Sequence, residues 1–352
     1  MPRTIVNSQL AAGVQPRQHL LRGHRRTATK GCWMRKVAGL IALGLGAFLL
    51  VSALMLKVYA YPALAKVPLD QYSKSVSQGQ NMEAFYVSDL ATKSGLTLTS
   101  TRFVKADQAA EKKQGGNVAV WDSFVRSTDQ NGTVLSAGLQ RVAMDRTTGE
   151  AVQCCNTYNA ASEDPADQQA TAYKGLIFKM PFNAQKQTYQ WWDNTLLKPV
   201  DAKFVRTQDL FGTNVYVYRM VIPATAYTQQ DVPATLAGDP KATGNITVDR
   251  VYENTRTLWV EPNTGIVVKG EEVLNTRFQK DGADIVTLQK GTISYDDKTV
   301  KANAEDAGGK GSKLALVHST LPLTFLILGV LLLLAGFLLV RGNTGRGRRE
   351  AV

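Results

Sequence analysis

Two continuous apolar blocks bracket a long stretch of alternating character. Residues 37–56 (VAGLIALGLGAFLLVSALML) and 321–340 each run twenty positions without a charge. At the helical rise, twenty residues span about 30 Å, the thickness of a bilayer's hydrocarbon core. Both blocks are therefore expected to be transmembrane helices. In the first, Ala38, Ala42 and Gly46 recur every four positions. Small residues at that spacing let two helices approach closely, so these three form a candidate helix-packing face. Its partner would be the second helix or a neighbouring copy of the chain.

From Met82 onward the pattern has a period of two. Residues 96–104 (LTLTSTRFV), 118–126 (VAVWDSFVR), 134–144, 214–222 (NVYVYRMVI), 246–252, 255–260, 266–278 and 285–295 are rich in Val, Thr, Tyr and Phe. Such alternation predicts strands with one buried face. Asn131-Gly132 between two of them signals a tight turn. The Pro- and Gly-containing stretch 223–245 and the polar stretch 156–172 read as loops. The predicted fold is mainly β: an antiparallel, curved-sheet extracytoplasmic domain, in one piece or in two similar subdomains, flanked by two transmembrane α-helices. The two-subdomain reading comes from an internal echo. Residues 145–152 (DRTTGEAV) and 261–268 (EPNTGIVV) both spell acid-x-x-Thr-Gly-x-x-Val after a strand. In such a turn the glycine supplies a positive φ and the acid starts the turn.

The expected organisation is a disordered basic tail over 1–36, a helix over 37–56, a β-rich domain over 57–301, a flexible linker over 302–313 (ANAEDAGGKGSK), a second helix over 321–340 and a basic tail over 341–352. Residues 63–65 (ALA) have the form of a signal cleavage site. A signal's apolar region is shorter than twenty residues, however, and the preceding tail is unusually long, so an uncleaved anchor is expected.

Charge sharpens this picture. The net charge is +12. Residues 1–36 hold eight basic and no acidic residues, and 341–352 hold four basic and one acidic. The middle of the chain is nearly neutral. Basic tails beside apolar helices follow the positive-inside rule, which predicts both termini in the cytoplasm and the large domain outside, with the lipid bilayer as the first partner. A nucleic-acid-binding domain would carry its positive charge on the folded part, and this one does not, so no nucleic-acid partner is expected.

The chemistry is bounded by histidine. The three histidines are His19, His24 and His318, none within the β-rich region. Ser-His-Asp and Cys-His sites are thereby excluded there, and the commonest transition-metal ligand is missing. The adjacent acidic pairs Glu163-Asp164, Glu271-Glu272 and Asp296-Asp297 would point to opposite faces of a strand and read as solvated charge. No catalytic, cofactor or metal residues are assigned, and the chain is not expected to be an enzyme. Phe182, Tyr189, Trp191 and Trp192 lie in an aromatic-dense stretch. They read either as core packing or as a candidate aromatic binding surface for a lipid or cell-wall ligand. Cys154 and Cys155 are the domain's cysteines, while Cys32 lies on the other side of the first apolar block. In an oxidising compartment two neighbouring thiols pair with each other or with another molecule. A vicinal disulfide between Cys154 and Cys155 is the candidate, with intermolecular bonds or free thiols as alternatives.

Several of these features together resemble a known family. The two-helix layout, residues 154–156 (CCN), residues 179–182 (KMPF) running to 191–193 (WWD), and residues 258–265 (LWVEPNTG) resemble the actinobacterial PorA-type envelope proteins over roughly residues 33–340. The resemblance implies a cell-wall channel and supplies no catalytic or ligand residues. A transmembrane barrel needs strands of about ten residues with a lipid-facing apolar band. Here the strands carry mixed and charged residues, and the apolar material lies in two helices. Residues 212–218 followed by 259–265 are also similar to the half-barrel lipoprotein-carrier superfamily, which implies a curved sheet holding an acyl chain or peptide. The function expected is non-enzymatic: binding a lipid, a cell-wall component or a protein partner near the membrane. A channel-forming or channel-associated role is the alternative, and self-association through the helices is a further expectation.

Overall fold

The computed structural model describes the backbone of residues 25–342 and the side chains from residue 33. Most of the two expected basic tails lies outside the described residues, although helix already begins at Arg25. In chain order the elements are α1 (Arg25–Met55), a π-helical turn (Leu56–Ala60), α2 (Tyr61–Leu64), β1 (Tyr72–Tyr86), β2 (Ala91–Ala106), α3 (Gln108–Lys113), β3 (Val118–Thr128), β4 (Val134–Asp145), β5 (Tyr158–Ala160) and β6 (Gln169–Ala170). There follow β7 (Tyr189–Asp193), β8 (Lys198–Leu210), β9 (Thr213–Pro233), β10 (Asn245–Val260), β11 (Val267–Lys280), β12 (Ala283–Tyr295), α4 (Asp297–Ala315), a second π-helical turn (Leu316–Thr320) and α5 (Leu321–Arg341). The chain forms two compact units: 56–320, and a helical unit built from the segments before and after it.

In the helical unit α1 and α5 pack through glycine. Gly39 and Gly46 on one helix, and Gly329 and Gly336 on the other, repeat every seven residues. A Cβ at Gly46 would sit 2.8 Å from the Gly329 carbonyl oxygen, and one at Gly336 would sit 2.7 Å from that of Gly39. Close backbone approach is what holds apolar helices together where lipid removes any hydrophobic gain from association. The predicted face Ala38, Ala42 and Gly46 is thus displaced by one residue. Gly46 is buried, Ala42 is half-buried, and Ala38 is exposed while Gly39 is buried in its place. A seven-residue repeat tracks one helix stripe better than successive steps of four, which drift around it. Both helices are long and apolar enough to cross a membrane.

The other unit is one twelve-stranded antiparallel sheet in the order β6-β5-β4-β3-β2-β1-β12-β11-β10-β9-β8-β7. Strands β1 and β12, the first and last of the chain, pair at the centre. There is therefore one sheet with two arms rather than two subdomains. The arms also meet at one end. Single-residue bridges join Met144 of β4 to Ala151, Glu150 to Leu176, and Leu176 to Trp191 of β7. The hydrogen-bonded ladder is closed into a ring at that end and open at the other.

Further expectations are corrected. The stretch 156–172, expected to be a loop, carries β5 and β6. The stretch 223–245 is largely strand: β9 continues through Pro223, where the register against β10 shifts between Ile222 and Thr225. A bulge accommodates a proline that has no N–H to donate. Asn131-Gly132 does lie in the β3–β4 hairpin, but the connection spans residues 129–133 and is folded over the Asp129 carboxylate, which accepts from the Asn131 and Thr133 amides. Residues 302–313, expected to be a flexible linker, lie inside α4. Val300, Ala304 and Ala307 bury against Val215, Val217 and Trp259. Gly308 packs on Thr213 and Gly311 on the Glu261 carboxylate. The small residues serve close approach, and Thr213 Oγ1 donates to the Ala304 carbonyl at 2.8 Å.

The internal echo is one turn built twice. Asp145 Oδ1 accepts from the amides of Thr147 and Thr148. Glu261 accepts from the amides of Asn263 and Thr264. In each, the threonine hydroxyl donates back to the acid and accepts from the amide two residues on. Gly149 and Gly265 close the turns at φ +78° and +74°.

The two glycines differ in surroundings, which yields a paired prediction. At Gly149 a Cβ meets nothing nearer than 3.5 Å, whereas at Gly265 it would overlap the Met180 carbonyl. Gly149→Ala is expected to cost about 1–2 kcal/mol from the left-handed φ alone. Gly265→Ala adds overpacking, for about 2–5 kcal/mol in total. Denaturant unfolding of the full chain in detergent, followed by the sheet's circular dichroism, checks the order. In the helical unit, Gly46→Val is expected to destabilise by about 1–3 kcal/mol. Gly44→Val, which faces open space, should be near neutral, with the helical circular dichroism of the full chain followed in place of the sheet's.

Candidate functional site

The segment 175–184 passes between the two turns and is hydrogen-bonded on both sides. The Ala151 amide donates to the Gly175 carbonyl at 2.9 Å, and the Leu176 amide to Gln190 at 2.9 Å. The Met180 amide donates to Gly265 at 2.8 Å, and the Ala184 amide to Pro262 at 2.8 Å. Alternate side chains feed different cores. Ile177 joins Trp121, Tyr173 and Trp192. Leu176 and Met180 join Trp191, Tyr218 and Leu258.

Between this segment, α4 and the inner faces of the two arms lies a cavity of about 1180 Å³. Its wall is mixed: Val104, Leu258, Leu274 and Ile293 supply apolar surface, and Ser75 and Ser100 supply hydroxyls. One charged group in that wall is fully engaged. Arg256 pairs with Asp193 at 3.2 Å and with Glu272 at 2.9 Å. Asn254 donates to Glu272 at 2.9 Å and to the Tyr252 hydroxyl at 2.8 Å. Burial pushes the Glu272 carboxyl up, and the Arg256 guanidinium outweighs it, so Glu272 stays below its usual value. Two carboxylates tied to one arginine form a structural strut in the wall. Glu271 pairs instead with Lys269.

The residues singled out in the sequence fall into place around this cavity. Trp191 and Trp192 are buried in β7 and Phe182 is half-buried. All three line the cavity. Tyr189 does not: it stands edge-on to Tyr218 and its hydroxyl accepts from the Gln185 amide. These four residues therefore form no exposed surface, and Phe182, Trp191 and Trp192 are core that doubles as a cavity wall. Cys154 and Cys155 are joined by a disulfide, and Cys155 and Asn156 both adopt a left-handed φ in the loop after residues 150–152.

Sequence reasoning missed Lys179. It is 6% exposed and lines the cavity. Its ammonium lies 3.7 Å over the Phe182 ring, and its Nζ has no hydrogen-bond partner. The available signal was a lone lysine within the apolar run 176–182 (LIFKMPF). Trp121 Nε1, Trp192 Nε1 and Gln140 Nε2 are likewise buried without an acceptor, and their residues line the same cavity. Among the described residues no three His, Cys, Asp or Glu side chains are grouped to hold a metal.

Burial lowers the Lys179 pKa to about 7. An unfolded lysine keeps its proton to about pH 10.4. Between those values the unfolded chain binds the extra proton, so this group's penalty on folding is full below about pH 7 and fades as pH rises towards 10.4. Lys179→Met is expected to melt above the wild type at pH 6.5, with the gap closing by pH 10.5. Thermal unfolding of the full chain in a neutral detergent reads this directly.

Comparison with known proteins completes the picture. The family model Porin PorA matches residues 38–338. A Porin PorA of Corynebacterium amycolatum is 22% identical, with 80% of this chain and 90% of that protein covered. A Porin PorA of Corynebacterium resistens is 21% identical, covering 87% of this chain and 97% of that one. A solved Bacteroides fragilis structure with a YmcC-like fold aligns to 65% of this chain and 96% of its own at 10% identity, with a TM-score of 0.22 that lends it no weight. The match spans both apolar helices and the whole of the sheet between them, and on it this chain belongs to the Porin PorA family.

Proposed function

We propose that this protein is a membrane-anchored envelope protein that holds an amphiphile in the cavity of its β unit and catalyses no reaction. The cavity carries the proposal. Its volume of about 1180 Å³ exceeds the roughly 300–1,000 Å³ of most small-molecule sites, and its walls combine apolar side chains with hydroxyls, amides and charged groups. Such a lining suits a ligand with a long apolar part and a polar end. The basic flanks of the two apolar helices support a double pass with both termini in the cytoplasm and the β unit outside.

A channel role is the second reading, and the name shared by the family and its two Corynebacterium relatives favours it. Two apolar helices per chain would line a pore only in an oligomer.

One experiment separates the readings. The full chain is purified from host membranes in neutral detergent and its bound lipid is counted by native mass spectrometry. About one lipid per chain is expected. Ile293→Trp, which fills the cavity from β12, should lower occupancy several-fold without altering the circular dichroism. Unchanged lipid content in that variant, together with a conductance step in planar bilayers, would replace the binding reading with the channel one.

A further inference from the structure

We propose that the ring-closed end of the cavity is an acid-group site, in which the Lys179 ammonium, the indole N–H groups of Trp121 and Trp192 and the Gln140 amide receive the singly charged head of a long-chain amphiphile. The inference rests on the cavity-binding reading and adds the class of its ligand.

Buried polar groups in folded proteins almost always have partners, and an unpaired buried ammonium is among the costliest exceptions. Here four donor atoms, all on residues that line one cavity, have none. Lys179, Trp121, Trp192 and Gln140 are each at least nine-tenths buried. The Phe182 ring takes one face of the ammonium and leaves its N–H bonds without an acceptor. Among the described residues no carboxylate lies within ion-pair distance of Lys179, although Arg256 beside the same cavity holds two. A methionine would fill the Lys179 position without that cost, so packing alone does not account for a lysine. A set of donors with one positive charge matches an oxygen-rich group with one negative charge: a carboxylate or a phosphodiester. Neighbouring Asn194 donates from Nδ2 to the Gln140 Oε1 at 3.4 Å, and its own Oδ1 is the one acceptor beside these donors that also lacks a partner among the described residues lining this cavity.

Geometry gives the ligand a direction. Lys179 and Trp192 adjoin the closed end of the ring, where β4 and β7 are bridged, and Trp121 and Gln140 follow along β3 and β4, whereas Leu274, Gln289 and Ser127 mark the wall further from it. The acid would sit at the closed end and the chain would run along the sheet.

The test uses the full chain in phosphatidylcholine nanodiscs and hexadecanoic acid brominated at C2. Bromine quenches indole fluorescence on contact, so binding in this orientation quenches Trp121 and Trp192. The same acid brominated at its terminal carbon should quench less. Lys179→Met is expected to weaken binding of the acid about 10–100-fold, the range of a charge-assisted hydrogen bond, and to leave 2-bromohexadecanol unaffected. Lys179→Arg should restore most of the affinity for the acid. Displacement by unlabelled hexadecanoate or by lysophosphatidylglycerol supports the proposal and tells which acid is preferred. Equal binding of acid and alcohol in wild type and Lys179→Met overturns the acid site and leaves the cavity reading standing. Absence of quenching by any probe, with no change on Ile293→Trp, overturns the cavity reading and the acid site together.

Discussion

The β unit depends on the way residues 175–184 are gripped between two copies of one turn. A twelve-stranded sheet leaves unpaired backbone groups at its edges, and exposed edges invite association with other chains. Here the arms are joined at one end through Glu150, Leu176 and Trp191. The amides of Met180 and Ala184 close the other side of the segment onto the second turn. Because each turn is held rigid by its own acid and threonine, the segment meets two preformed walls. Side chains from it then complete two cores at once, with Ile177 in one and Leu176 and Met180 in the other. The cavity exists because this closure occurs at one end of the sheet.

Close backbone approach recurs throughout the molecule as the means of packing. Glycine places α1 against α5, and Gly308 and Gly311 let α4 settle on β9 and the second turn. Gly265 admits the Met180 carbonyl. At such positions the useful property of glycine is its lack of volume. Where the turn also demands a positive φ, as at Gly265, both properties are required of the same residue.

These uses of small residues explain what could be read from the sequence and what could not. The apolar blocks were legible because a bilayer requires an unbroken run, and the strands because a half-buried sheet requires a period of two. The repeated turn was legible because acid, threonine and glycine each hold a fixed place in it. The helix over 302–313 was hidden: Ala, Gly and Ser look alike whether chosen for freedom or for contact, and the partners Thr213 and Glu261 are remote in sequence. The strand through Pro223 was hidden because a bulge can absorb a proline that a regular ladder cannot. Burial of Lys179 was hidden because it follows from turns at 149 and 265 closing on one segment. Trp191 and Trp192 looked the same on an exposed surface as on a cavity wall until β7 was placed beside Leu176.

The central claim is that a segment without regular secondary structure locks the sheet. Hydrogen exchange of the full chain in detergent tests it at the amides of Leu176, Met180 and Ala184. The account predicts protection comparable to that of the central strands β1 and β12, lost only in global unfolding. Exchange at the rate of an exposed loop would contradict it, because the ring would then be open and the cavity would lack its closed end.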